Sequence, residues 1–211
     1  MKMGIFDKFK KKANVAIVEE IKDTSVGSEV QIFSEFLEFF DLECKYKQVD
    51  DPYLSLIANF GGRDFGNGLF RIFKMENIQQ WETNVTEVYP QFTKKFKLFA
   101  YDWLGRCFGI DLRSGTEGKV LMFEVGTNEV LEISCDLLEF LNEEIPLDTD
   151  ACLACNFFEE WTEFAGKPLE YERCAGYKVP LFLGGEDKIE NLEDSDMEVY
   201  WHIIYQAKKN L

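Results

Sequence analysis

The sequence is short of the residues that most enzymes and metal sites depend on. It has one histidine, His202, and its six cysteines (Cys44, Cys107, Cys135, Cys152, Cys155 and Cys174) include only one close pair, Cys152-x-x-Cys155. A closed zinc site takes four nitrogen or sulfur ligands, so one such pair without a second excludes the usual spacings, and no metal or cofactor is expected. The pair falls inside an apolar-periodic stretch, 150–164, which favours buried, reduced thiols over a redox couple. His202 sits beside Trp201 among aromatic and aliphatic neighbours, which favours a packing or surface role over that of a general base. No apolar run approaches the ~20 residues of a membrane helix. The opening MKMGIFDKFKKK has no apolar core or small-residue cleavage site after it, so no signal peptide and no stable membrane association are expected, and cytoplasmic residence is. Positive charge is scarce as well: 23 Lys and Arg stand against 39 Asp and Glu, a net charge of −16. Phosphate contacts require clustered cations, so direct nucleic-acid binding is not expected. The same charge suits a basic partner, or serves solubility alone.

Apolar residues are plentiful. They make up 46% of the 211 residues, with 20 phenylalanines, enough for a sizeable core. Met1–Lys12 is a short basic amphipathic segment, Ala13–Ile21 an apolar continuation and Thr24–Ser28 a loop. The periodicity predicts helices over Glu29–Phe40 and from Asp50-Asp51-Pro52 to Phe60, with Gly61-Gly62 as the stop, and another over Met75–Thr83. Leu42–Val49 reads as strand or linker. A short strand is expected at Leu69–Phe73, and four more at Phe96–Ala100, Cys107–Leu112, Val120–Val125 and Val130–Ile133 are spaced as an antiparallel meander. Helices at Asp136–Glu144 and Asp150–Phe164, a strand at Tyr177–Leu183 and a last helix opened by a Ser195-x-x-Glu198 capping box complete the chain. This order predicts an α+β fold, with a helical N-terminal half and a mostly antiparallel sheet flanked by helices in the C-terminal half. The expected divisions are 1–27 as a basic segment, 28–95 as a helical region and 96–211 as an α+β domain, the last two packing as one globule or two.

No catalytic constellation emerges. Asp102-Trp103-Leu104-Gly105-Arg106 is a distinctive turn, in which Arg106 pairs with Asp102 to stiffen the loop or offers its guanidinium to a partner. Gly184-Gly185 break the strand before an acidic stretch carrying Glu186, Asp187, Glu190, Glu193, Asp194 and Asp196. That stretch lacks the glycine and ligand order of a calcium-binding loop, which leaves a presented acidic surface as the candidate partner-binding site. Carboxylates at Asp102 or Asp111 are the only handle for a hydrolase reading.

The segments YLSLIANFGGRDFGNGLFRIF, YDWLGRCFGIDLR, VLMFEVGTNEVLEI and CAGYKVPLFLGGEDKIENLEDSDMEVYW together resemble bacterial proteins with a GAD-like N-terminal region and a C-terminal type VI secretion immunity domain. The resemblance spans about residues 28–207, and GGRDFGNGLFRIF is also similar to the SUKH immunity superfamily. It implies a non-catalytic protein that binds and neutralises a cognate toxin, a basic nuclease effector. A cytosolic adaptor or regulatory module without a toxin partner is the alternative.

Overall fold

The computed structural model describes residues 31–210. Met1–Lys12, Ala13–Ile21, Thr24–Ser28 and the start of the helix expected at Glu29 lie outside the described residues. The fold is α+β, built on one six-stranded antiparallel sheet whose spatial order follows the chain. The strands are β1 (Asp64–Phe65), β2 (Phe70–Ile72), β3 (Phe96–Asp102), β4 (Cys107–Asp111), β5 (Val120–Glu124) and β6 (Glu129–Ile133). Strands from both sides of Pro90 share this sheet. A separate hairpin pairs β7 (Arg173–Tyr177) with β8 (Leu192–Asp196).

Helices cover both faces. Before the sheet come α1 (Ser34–Phe39) and α2 (Pro52–Phe60). Asp51 starts α2 by accepting a hydrogen bond from Leu54 N at 3.1 Å, and Pro52 occupies a first-turn position where no amide donor is needed. After β2, α3 (Met75–Val88) runs a turn and a half beyond its expected end, since Val85 and Val88 continue its buried stripe. The stretch 137–147 forms α4, short α-turns around a π-helical segment, Phe140–Glu144, capped by a reciprocal Asp136–Glu139 box. The helix expected over Asp150–Phe164 is two helices, α5 (Thr149–Leu153) and α6 (Cys155–Ala165), because Ala154 takes a left-handed conformation at φ 50°. The last helix is α7 (Met197–Lys209).

The core divides around the sheet. On one face Phe99 and Phe108 meet Phe140 of α4 at 6.3 and 5.4 Å between ring centres. On the other, Phe123 meets Tyr89, which meets Trp201 of α7, which in turn meets Trp81 of α3. A fully buried guanidinium, Arg71 on β2, fastens the C-terminal part to the sheet. It donates to Asp64 Oδ2 at 3.0 Å, Leu169 O at 3.1 Å and Arg173 O at 3.2 Å. Such a charge is tolerated in the interior because each of its three nitrogens donates a hydrogen bond and Asp64 supplies the counter-charge.

Candidate functional site

The β3–β4 turn is the foundation of the site. Asp102 is fully buried and accepts from Leu104 N, Arg106 N and Arg106 Nε, the last at 2.5 Å. Gly105 stands at φ 77°, in the left-handed region that glycine favours. The C-terminal helices grip the turn: Trp103 Nε1 donates to Leu153 O and Trp201 Nε1 to Gly105 O, both at 2.9 Å. Arg106 also donates to Cys152 O at 3.2 Å. Burial works against the Arg106 charge, but Asp102 and Glu124 more than offset it and hold the guanidinium ionised.

Glu124, the last residue of β5, completes this network. Its Oε1 accepts from Gly126 N at 3.2 Å, whereas Oε2 lies 3.6 Å from Arg106 Nε, outside hydrogen-bond distance. Two carboxylates therefore share one guanidinium, and Asp102 holds it. Burial pushes the Glu124 carboxyl up to about 7, against the pull of Arg106 and with added repulsion from Asp102 and Asp187.

Above this network opens a cleft of about 440 Å³. Its walls are the Asp102–Arg106 turn, the end of β5, the start of α6 and the loop between β7 and β8. Leu104, Phe157 and Leu181 supply apolar surface. Tyr177, Asp187, Asp150 and Glu160 supply phenol and carboxylates. Tyr177 OH donates to Asp187 Oδ1 at 2.6 Å and so fixes one acidic side chain of the loop against the wall. Asp150 accepts from Asn156 N at 2.9 Å at the start of α6.

The loop is braced, which holds its charges in place. Asn191 Nδ2 donates to Val179 O at 2.8 Å and Glu186 O at 2.9 Å, and its Oδ1 accepts from Val179 N at 3.0 Å. Leu181 N donates to Gly126 O at 3.0 Å. Gly184 sits at φ 87°, and a Cβ on Gly185 would lie 1.8 Å from Val179 O, so no side chain fits there as the loop stands. The strand expected over Tyr177–Leu183 ends at Tyr177, and Leu181–Leu183 is a 3₁₀ turn.

The six acidic residues singled out in the sequence separate into two groups. Glu186, Asp187, Glu190 and Glu193 are exposed, Glu186 beside Lys188 at 3.1 Å and Glu193 on β8. Asp194 is held between Lys167 and Arg173, each at 2.5 Å. Burial would raise its carboxyl, but these two partners keep it below the ordinary range. Asp196, exposed like the first four, also caps α7 by accepting from Val199 N at 3.0 Å, which replaces the Ser195 box expected from sequence. Ser195 is instead paired with Cys174 in the hairpin register.

The hydrolase reading finds no cleft shared by its carboxylates. Asp102 ends β3 and Asp111 ends β4, at opposite ends of that antiparallel pair, and Asp111 is held by Arg113 at 2.7 Å and Thr116 Oγ1 at 2.6 Å. Among the described residues no three His, Cys, Asp or Glu side chains gather as metal ligands. Cys155 is buried 3.7 Å from Asp150 Oδ1, Cys152 is half-buried, and both are free thiols. His202 is exposed on α7, 3.4 Å from Gln206 Nε2. Among the described residues no helix is long and apolar enough to cross a membrane. Sequence reading missed Glu124, Asp150, Phe157 and Glu160 as cleft residues. The one available signal was a glutamate ending the apolar run Val120–Phe123 just before the Gly126-Thr127-Asn128 turn.

Comparison with known proteins bears on the same region. Residues 136–208 match the family model described as T6SS immunity protein Tdi1, C-terminal, so this part of the chain is similar to a type VI secretion immunity family. The fold as a whole is similar to that in the crystal structure of Atu4351 from Agrobacterium tumefaciens. The TM-score is 0.53 at 15% identity, over 83% of this chain and 89% of that one. No curated protein matches the chain.

Proposed function

We propose that this chain is a toxin-neutralising immunity protein of the type VI secretion kind, acting by binding and not by catalysis. The observation that carries the reading is the immunity-family match over 136–208, the segment that forms α5, α6, the braced loop and α7. These elements build most of the acidic cleft. The toxin is a nuclease with a basic surface, in keeping with the net charge of −16. An acidic surface speeds encounter with such a partner and competes with phosphate for its groove. The neutraliser acts in the cytoplasm, where an incoming nuclease would meet DNA. The exposed Glu186, Asp187, Glu190, Glu193 and Asp196 form the outer contact surface, Asp196 also capping α7, and the half-buried Asp194 braces the hairpin behind them. The GAD-like character of 28–95 belongs to this proposal through sequence resemblance.

The test is co-purification of the full chain with the product of the adjacent gene, at low and at high salt. Capture of a nuclease that loses its DNA-cleaving activity in the complex, with binding weakened by salt, is the expected result. Failure to capture that product refutes the reading. Equal capture after Glu186→Lys, Glu190→Lys and Glu193→Lys are combined refutes the choice of outer surface.

A further inference from the structure

The cleft has a charge imbalance that its own residues do not settle. Among the described residues Arg106 is the only cation lining it, and Asp102 already engages that guanidinium through Nε. Among the described residues Glu124 Oε2 accepts no hydrogen bond and has only the distant Arg106 Nε at 3.6 Å, although its side chain is only 13% exposed. Asp187 is fixed at the same wall by Tyr177, and Asp150 and Glu160 add negative charge from the α5–α6 side. A carboxylate in such a place gains more from a visiting cation than one on an open surface, because screening by water is weaker there.

The other walls indicate which cation. Phe157 and Tyr177 present aromatic surface, and Leu104 and Leu181 present aliphatic surface. A guanidinium is planar, weakly hydrated and able to lie on aromatic faces while donating in two directions. An ammonium is compact and strongly hydrated, and loses more on entering apolar surroundings.

We infer that the cleft receives an arginine side chain of the protein partner, with its guanidinium between Glu124 and Asp187 and its stem along Phe157 and Leu181. This inference rests on the immunity reading for the identity of the partner, and on the geometry of this chain for the chemistry. It has a consequence for pH. Arg106 and Asp102 from the β3–β4 turn, Tyr177 and Asp187 from the hairpin, Tyr200 from α7 and Tyr89 after α3 surround Glu124, Asp150 and Glu160 line the same cleft, and burial pushes the Glu124 carboxyl up. An arriving guanidinium draws the proton off, so binding strengthens as pH rises from 6 to 8.

The inference is tested with acetyl-arginine amide titrated into the full chain, following the backbone amides of Gly126 and Asn156 by NMR, with acetyl-lysine amide as comparison. Saturable shifts with the arginine probe are expected, stronger at pH 8 than at pH 6. The Glu124→Gln and Asp187→Asn variants should each weaken them about tenfold. No shift at these amides, an equal response to lysine, or an unchanged response in both variants overturns the inference. The immunity reading fails separately, if the wild-type chain does not capture the adjacent-gene product. If the adjacent-gene product is captured at undiminished affinity by the chain carrying Glu124→Gln and Asp187→Asn together, the cleft's role in docking is overturned and the immunity reading stands.

Discussion

Replacing Glu124 by glutamine should stabilise the protein at alkaline pH and do little at acid pH. In the folded chain burial brings this carboxyl to about 7, whereas the unfolded chain presents it at the ordinary 4.5. Between those values the folded state holds a proton that the unfolded state has lost, so this residue makes stability fall as pH rises through the window. Above pH 7 both states are ionised and the full cost applies, at most about 3 kcal/mol from the difference between the two values. The introduced amide remains buried, which lowers the expected gain at pH 8 to about 2 kcal/mol. In a chain of this length that is roughly a 4–8 °C rise in melting temperature. At pH 4.5 the gain should be under about 0.5 kcal/mol, because the folded wild type is then neutral at this position. Thermal melts of the two proteins at pH 4.5 and 8 measure this directly. A glutamine variant shifted equally at both values would show that Glu124 is not held neutral by its surroundings. A gain confined to pH 8 would mark a residue kept at a cost in stability, as expected of a binding group.

Three further expectations concern the frame around the cleft. Arg71→Met removes a guanidinium with no exposed surface and three engaged partners, so urea unfolding should show a loss of about 3 kcal/mol. Gly185→Ala places a methyl group against Val179 O. It should cost partner affinity by disturbing the loop while changing the melting temperature by less than about 2 °C, since the loop lies at the surface. Cys107 and Cys174 are fully buried and burial raises both thiols, so mass spectrometry after iodoacetamide at pH 8 should find them unmodified in native protein and alkylated in urea.

The sheet was legible because its strands are short, apolar and separated by glycine-rich turns; β3 to β6 fall within two residues of the expected bounds at each end. The hairpin was not. Its second strand, Leu192–Asp196, reads as acidic loop because Glu193, Asp194 and Asp196 disfavour a strand, and only the pairing of Asp194 with Lys167 and Arg173 makes the charge tolerable. Both cations are distant in sequence, so local pattern carries no trace of them. The break at Ala154 was hidden for a similar reason. Alanine favours helix, and its left-handed conformation follows from tertiary packing, with the chain held where Cys152 O and Leu153 O accept from Arg106 and Trp103. The cleft depends on that break and on Glu124, which the strand pattern assigned to the sheet alone. Charge counting found the exposed loop and could not separate the half-buried Asp194, held by Lys167 and Arg173, from the exposed acids around it.

The measurement that bears most directly on neutralisation is survival of bacteria expressing the adjacent-gene product in the cytoplasm, with and without this chain. The account predicts killing with degraded chromosomal DNA in its absence and full survival with intact DNA in its presence. Killing that continues unchanged while both proteins are present at equal levels would contradict it.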